Sequence, residues 1–385
     1  MNLAIFDTLD QFSSLQWIIL GIFVIALLCR FYYVFFFEAR WLFTGRKEVI
    51  ANEKAAEPIS VLLTVRNEEE NLSRILPQLL SINNVKYEAV VVDDYSLDNT
   101  YSILGSFRRK YSHLKISSLN EETRFSVKLA QNIALKAAQY DWVQLLPVDA
   151  EEVHNDWLSA FARNTTTKNR KVLIGYNNIK PVSGIYNLLY RIEMYKQQIQ
   201  SAGFILNGIP FVYFEENVAF RRREYFNLGG YGSKTREPYA NLELLINKFL
   251  KKKETAVLFN EPARLTREVK TDREDFFGLV RRSFRIVKHL SAWKRFFIRL
   301  DIFLRVTYLP IFIFALLFIR DLWMLSSTLV LLLLLAQMII IKIGQNRLNE
   351  RKIFIPSLVY GLLMPYYKLF YSWHFKRQSR SKNGR

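Results

Sequence analysis

The sequence predicts an α/β domain on a mostly parallel sheet, set between membrane-spanning helices. Three observations predict it. Short β-branched runs alternate with helical patterns across residues 58–265. Long apolar runs stand near both ends of the chain. Carboxylates collect where apolar strands stop, at Asp93 and Asp94 and again at Asp149 and Glu151.

Residues 15–37 are apolar apart from Gln16 and Arg30. A spanning helix needs about 20 such residues. Asp7 and Asp10 precede the run without lysine or arginine, which suits a retained anchor rather than a secretory signal. Arg40, Arg46 and Lys47 follow it. Positive charge stays cytoplasmic, so the N-terminus is expected outside and residue 48 onward inside, at an inner or cytoplasmic membrane. Arg30 is expected to snorkel toward the inner interface.

Within 58–265 the pattern predicts strands at 59–65, 87–92, 114–118 and 142–146. Helices are expected at 71–82, 101–111 and 127–139. Strands alternating with helices of this length give a parallel sheet covered on both faces. Such sheets bind ligands at the carboxyl ends of their strands.

Residues 270–299 are basic and aromatic. They read as an amphipathic segment on membrane lipids, or as a solvated helix face. Apolar segments at 302–319 and 322–343 form a helical hairpin around Arg320 and Asp321. Residues 353–373 are apolar but hold Pro356, Pro365 and Lys368, and a basic tail follows. A span and a re-entrant segment both fit them. The expected division is an anchor at 1–47, a cytoplasmic domain at 48–269, the interface segment at 270–299 and a membrane region at 300–385.

The net charge of +19 suits anionic lipids or phosphorylated substrates. No zinc-finger spacing or helix-turn-helix pattern is present, so no nucleic-acid partner is expected. The single cysteine, Cys29, excludes an intrachain disulfide and a cysteine-built metal site.

Two strand ends carry candidate chemistry. At VVVDDYSLDNT the strand runs into Asp93 and Asp94, then Ser96 and Asp98. Paired carboxylates there can meet a ribose, a base N–H or a cation, or can cap the next helix. At WVQLLPVDAEE, Asp149 and Glu151 are spaced to turn toward one hard divalent cation, Mg2+ or Mn2+, or again to cap. His154 nearby reads as a capping or surface residue rather than a ligand.

In order, these segments resemble the family 2 glycosyltransferases, of GT-A fold. The matching residues are Arg66, Asn67 and Glu68; Asp93, Asp94 and Ser96; Lys128, Ala130 and Asn132; and Asp149 with Glu151. EENVAFRRREYFNLGGYG, at 215–232, is similar to the acceptor-side segment of the family through Asn217, Ala219, Phe220, Arg221, Gly229 and Gly230. The resemblance implies an inverting transfer from a nucleotide-sugar to a lipid-linked or glycan acceptor. It implies that Thr64, Glu68, Asp93 and Asp94 hold the nucleotide, Lys128 the diphosphate, and Asp149 and Glu151 the divalent cation. The family base is an acidic residue just after the Gly-Gly segment, where this chain has Ala240 and Asn241. Glu237 is the nearby carboxylate expected to replace it, Glu243 being turned elsewhere by the helix register. The Gln-x-x-Arg-Trp motif of processive synthases is absent, with VRRSFR at 280–285 in its place. A catalytically impaired relative that binds nucleotide-sugar or acts as a membrane scaffold is the alternative expectation.

Overall fold

Apolar runs at the two ends of the chain come together, and the alternating region folds apart from them. The computed structural model describes residues 12–44, 56–122, 126–167 and 169–382. It divides into one unit of Met1–Leu42 with Ser291–Arg385, and another of Phe43–Leu290. Arg46 and Lys47, used above for orientation, lie outside the described residues, as do Asp7 and Asp10.

In the first unit, α1 (Ser14–Tyr33) opens with a capping box between Ser13 and Gln16 and runs on through a π turn to Ala39. Helices α10 (Ala292–Phe318), α11 (Trp323–Arg347) and α12 (Phe354–Lys382) complete it. Three of its segments, Ser14–Phe43, Ala292–Phe318 and Arg320–Arg347, are long and apolar enough to cross a membrane. Exposed apolar residues such as Ile18, Ile22 and Ile25 on α1 present the surface that lipid would cover. The hairpin turns at Arg320–Leu322, as the sequence predicts, although α10 starts ten residues earlier than the expected segment.

Arg30 does not snorkel. It is buried, and its guanidinium meets Glu38 at 3.0 Å and Asp301 at 3.7 Å. Arg305 closes the set, 2.8 Å from Glu38 and 3.0 Å from Asp301. Two cations and two anions therefore tie α1 to α10 with no net charge, which is what burial of ions demands. Asp301→Ala leaves both guanidiniums under-compensated. A loss of about 3–5 kcal/mol is expected, read as a lowered unfolding midpoint in detergent. An unchanged midpoint would mean the four charges are wet and weakly coupled.

The second unit is built on a twisted sheet. Its strands are β1 (Ile59–Val65), β2 (Tyr87–Asp93), β3 (Leu114–Ser118), β4 (Trp142–Leu145), β5 (Ala150–Glu152), β6 (Val172–Ile179), β7 (Val218–Arg221), β8 (Thr255–Leu258) and β9 (Arg264–Arg267). The spatial order is β3-β2-β1-β4-β7-β6-β9-β5, with β8 also on β6. The half from β3 to β4 is parallel, and β7 enters antiparallel between β4 and β6. All seven residues of β2 are buried, as expected of a strand covered on both faces.

The covering helices include α2 (Glu69–Leu80), α3 (Thr100–Lys110), α4 (Ser126–Ala137), α5 (Trp157–Thr165), α6 (Ile185–Leu206), α7 (Arg222–Asn227), α8 (Glu243–Phe249) and α9 (Arg273–His289). Helix α2 shows why the sequence reads as it does. Leu72, Ile75, Leu76 and Leu79 recur at helical spacing and are all buried against the sheet. The basic segment 270–299 is not one element. It breaks at Leu290, ending α9 in the second unit and starting α10 in the first. Helix α9 buries Phe276, Leu279, Val280 and Ile286 within its own unit.

Candidate active site

The loops after β1 and β2 lock together through side chains chosen for turns. Asn67, at φ 53°, accepts from the Leu97 N–H at 2.8 Å, and the Asn67 N–H donates to Ser96 Oγ at 2.9 Å. Ser96 in turn donates to Asp93 through its hydroxyl. Asp98 accepts from the N–H groups of Thr100 and Glu69, so the capping alternative holds for Asp98. These hydrogen bonds, with that from its own N–H, hold its carboxyl below the usual range despite some desolvation. Asp94 is buried at the strand end, its N–H donating to the Val65 carbonyl. Asp93 thus fixes the turn while Asp94 stands beyond it.

Strand β4 delivers Asp149 beside this pair of loops. Burial raises the proton affinity of Glu68, and the charge of Asp149 adds to the effect. Glu68, after β1, and Asp149, after β4, therefore lie close enough to feel one another. A cavity of about 80 Å³ opens between the same strand ends. Thr64, Pro147, Val148, Gln131, Glu215 and Leu242 are among the residues that line it.

The carboxylates expected to hold a divalent cation are otherwise engaged. Asp149 accepts from Arg267 Nε at 2.8 Å and from its Nη2 at 2.9 Å, a bidentate pair. Glu151 stands 2.7 Å from Lys180 Nζ. Among the described residues, no group of three His, Cys, Asp or Glu gathers as a metal-binding set. Placed this way, with each carboxylate already neutralised by a cation, the residues do not fit a divalent ion. His154 is exposed and accepts from the Asp156 N–H, a local cap.

Lys128 and Glu237 also meet protein rather than open space. Lys128 is buried, and its Nζ donates to the carbonyls of Lys234, Thr235 and Glu237. It holds the turn over Gly232–Arg236, and burial lowers its proton affinity. Glu237 pairs with His289 at 3.1 Å and Arg285 at 3.4 Å. Against the opposing effect of desolvation, the hydrogen bond and charge of His289, followed by Arg285, hold its carboxyl below the ordinary glutamate range. A base working near neutral pH wants the opposite shift. The structure therefore does not favour Glu237 in that role.

Two of the acceptor-side motif residues, Asn217 and Arg221, are held by contacts within the fold. The Asn217 side chain is saturated. It accepts from Trp157 Nε1 and Gln144 Nε2, and donates to the carbonyls of Tyr176 and Ala263. Gly175 makes room for it, since a Cβ there would stand 2.3 Å from Asn217 Nδ2. Arg221 stacks on Trp142 and pairs with Glu57 and Asp141.

What the sequence reading passed over are Glu215 and Glu216, two carboxylates just before β7. Glu216 is held far below its ordinary range, despite burial, by Arg282 at 2.9 Å and Arg267 at 3.4 Å. Arg282 also reaches the fully buried Glu243 at 2.7 Å. Glu215 goes the other way. Burial first, then the charge of Glu243, raise its carboxyl well above the glutamate range. The adjacent pair, preceding a strand as Asp93 and Asp94 end one, was the available signal.

A half-parallel sheet with acidic loops gathered at the ends of β1, β2 and β4 gives an α/β domain of GT-A-like fold. The family model for "Glycosyl transferase family 2" matches residues 60–226, so this stretch of the chain is similar to that family. Among curated relatives, the poly-beta-1,6-N-acetyl-D-glucosamine synthase of Staphylococcus epidermidis is 27% identical over 184 residues, 47% of this chain and 41% of that one. Its namesake in Staphylococcus aureus strain COL is 24% identical over 43% of this chain and 39% of that one. The chain thus spans about two fifths of the length of the curated relatives it matches. A solved mannosyltransferase from Pyrobaculum calidifontis, in complex with GDP-Man and Mn2+, aligns with a TM-score of 0.49 at 17% identity, over 91% of this chain and 98% of that chain. A glucosyl-3-phosphoglycerate synthase from Mycobacterium tuberculosis, with Mn2+ and uridine-diphosphate-glucose, aligns with a TM-score of 0.42 at 16% identity, over 62% of this chain and 80% of that chain.

Proposed function

We propose that the chain transfers a single sugar, with inversion, from a nucleoside-diphosphate sugar to a hydroxyl of a glycan or lipid-linked acceptor at a membrane. The observation that carries this reading is the meeting of strand ends. Thr64 shares one cavity with Pro147 and Val148, and Glu68 and Asp149 feel each other's charge. Thr64 lines the cavity, and on this reading Glu68 and Asp94, at the ends of the neighbouring strands, receive the base and ribose, with Asp93 holding their turn through Ser96. Lys128 acts by fixing the 232–237 turn beneath the sugar rather than by touching the diphosphate. The chain's own residues can bind and orient the donor, shield the reacting carbon from water and take up a proton.

On this reading the domain works on the cytoplasmic face of an inner membrane, where nucleotide-sugars are made, with the apolar helices as its anchor. A divalent cation, Mg2+ or Mn2+, would reach Asp149 only by displacing Arg267. The impaired-relative reading is favoured by one observation, the amide of Asn241 where the family pattern has a carboxylate. A transfer assay on the detergent-solubilised chain separates the two. Labelled UDP- and GDP-sugars offered with alkyl glycoside acceptors should yield product with inverted configuration, and a consistent absence of product would favour the impaired relative.

A further inference from the structure

We propose that Glu215 takes the proton of the incoming acceptor hydroxyl, doing from below the work that a carboxylate at position 241 does in the family pattern. The proposal rests on the transferase reading above.

The geometry begins with the cavity. Glu215 lines it together with Thr64 and Val148, so a residue of the acceptor-side loop and the donor-side strand ends share one space. Three donors aim the carboxyl. Gln131 Nε2 donates to it at 2.9 Å, the Leu242 N–H at 2.6 Å and Asn241 Nδ2 at 3.5 Å. Two of these donors are at 241 and 242, so Glu215 sits directly beneath the position where the family carries its base. A carboxylate offers about four lone-pair sites, so three donors leave room for one further proton.

Its neighbour Glu243 shows where that proton can rest. Glu243 is fully buried on α8, and its Oε1 accepts from Arg282 Nε. Its Oε2 has no protein donor, although the Glu215 carboxyl lies within hydrogen-bonding reach. A buried oxygen without a donor is costly. One proton held between the two carboxyls satisfies it. Other charges converge on Glu215 from each surrounding element. Glu216 follows it in the loop, Arg282 reaches in from α9, Lys128 lies on α4, and Tyr231 is buried nearby. Burial and the two flanking carboxylates outweigh Arg282 and raise the proton affinity of Glu215, toward the range a general base needs.

The step balances within the chain and its substrates. The acceptor O–H proton passes to ionised Glu215 as the hydroxyl oxygen forms its bond to the anomeric carbon. The bond from that carbon to the diphosphate oxygen breaks, and its electron pair leaves with the nucleoside diphosphate. The proton then rests between Glu215 and Glu243 before passing to water through the cavity. Glu215 works only when ionised, so the rate falls toward acid pH, along a limb displaced well above the ordinary glutamate range.

The test uses the full chain in detergent with labelled UDP-N-acetylglucosamine, UDP-glucose and GDP-mannose, and with octyl glucoside and octyl N-acetylglucosaminide as acceptors. For the pair that reacts, Glu215→Gln should lower kcat by about 10²-fold or more, the usual reach of general-base catalysis. The donor KM should change little, and the acid limb should disappear. Adding Asn241→Asp to that variant should restore part of the rate. If Glu215→Gln fails to fold, Glu215→Asp serves, and must keep the acid limb at reduced kcat. An infrared carboxylic-acid band near neutral pH, lost in Glu243→Gln, reports the shared proton without any turnover. Parent-like transfer by Glu215→Gln, or an acid limb that survives in it, overturns the proposal alone. A parent that transfers from none of the donors overturns the transferase reading and this proposal with it.

Discussion

Arg282→Met should cost the second unit about 3–5 kcal/mol, the loss expected when one partner is removed from a buried ion pair. Arg282 bridges Glu216 at 2.9 Å and the fully buried Glu243 at 2.7 Å, so the variant leaves both carboxylates short of positive charge. Methionine fills similar space, which separates charge from packing. The pH dependence fixes the sign. Glu216 has a depressed folded-state value, so its contribution is present above the unfolded value and lost as pH falls through the folded one. In the variant that depression shrinks. The difference between parent and variant should therefore be widest near neutral pH and narrow toward acid. Urea unfolding of both proteins across that range measures it. A gap that is constant with pH would mean that Arg282 contributes through contacts alone.

The second large effect is expected at Arg267. Arg267→Gln removes the guanidinium that neutralises Asp149 through two hydrogen bonds and also faces Glu216. The loss of stability should again be several kcal/mol. Unlike the change at Arg282, it should be partly reversed by Mn2+, because the freed Asp149 becomes an oxygen ligand beside Glu68. An ion that binds the folded form alone stabilises it by mass action, about 2.7 kcal/mol at a hundredfold excess over Kd. Thermal unfolding with and without Mn2+ is the measurement, and Mn2+ should raise the variant's midpoint more than the parent's. Equal shifts in the two proteins would show that Arg267 does not guard the position.

The strands and helices of the nucleotide side were legible because each obeys a local rule. Strands 59–65 and 114–118 match the predicted ranges, and α2, α3 and α4 begin within a residue or two of theirs. The apolar spans were legible by length alone. Three things were not. One partner of Arg30, Asp301, lies 271 positions away, and no periodicity links them. The pairing of Asp149 with Arg267 depends on β5 and β9 lying side by side, a short antiparallel contact with an irregular register. The role of Glu215 depends on Leu242 and Gln131 converging on it from separate elements. In each case the partner was set by tertiary contact, which sequence spacing does not carry. Asp98 shows the converse, where a local cap fully explains the residue.

The central claim is that a nucleoside-diphosphate sugar binds where β1, β2 and β4 end. Calorimetric titration of the solubilised chain with a panel of UDP- and GDP-sugars tests it most directly. Saturable binding of at least one of them, weakened at least tenfold in Asp94→Ala, is the predicted result. Binding that is unchanged in Asp94→Ala, or absent for every sugar nucleotide, would contradict it.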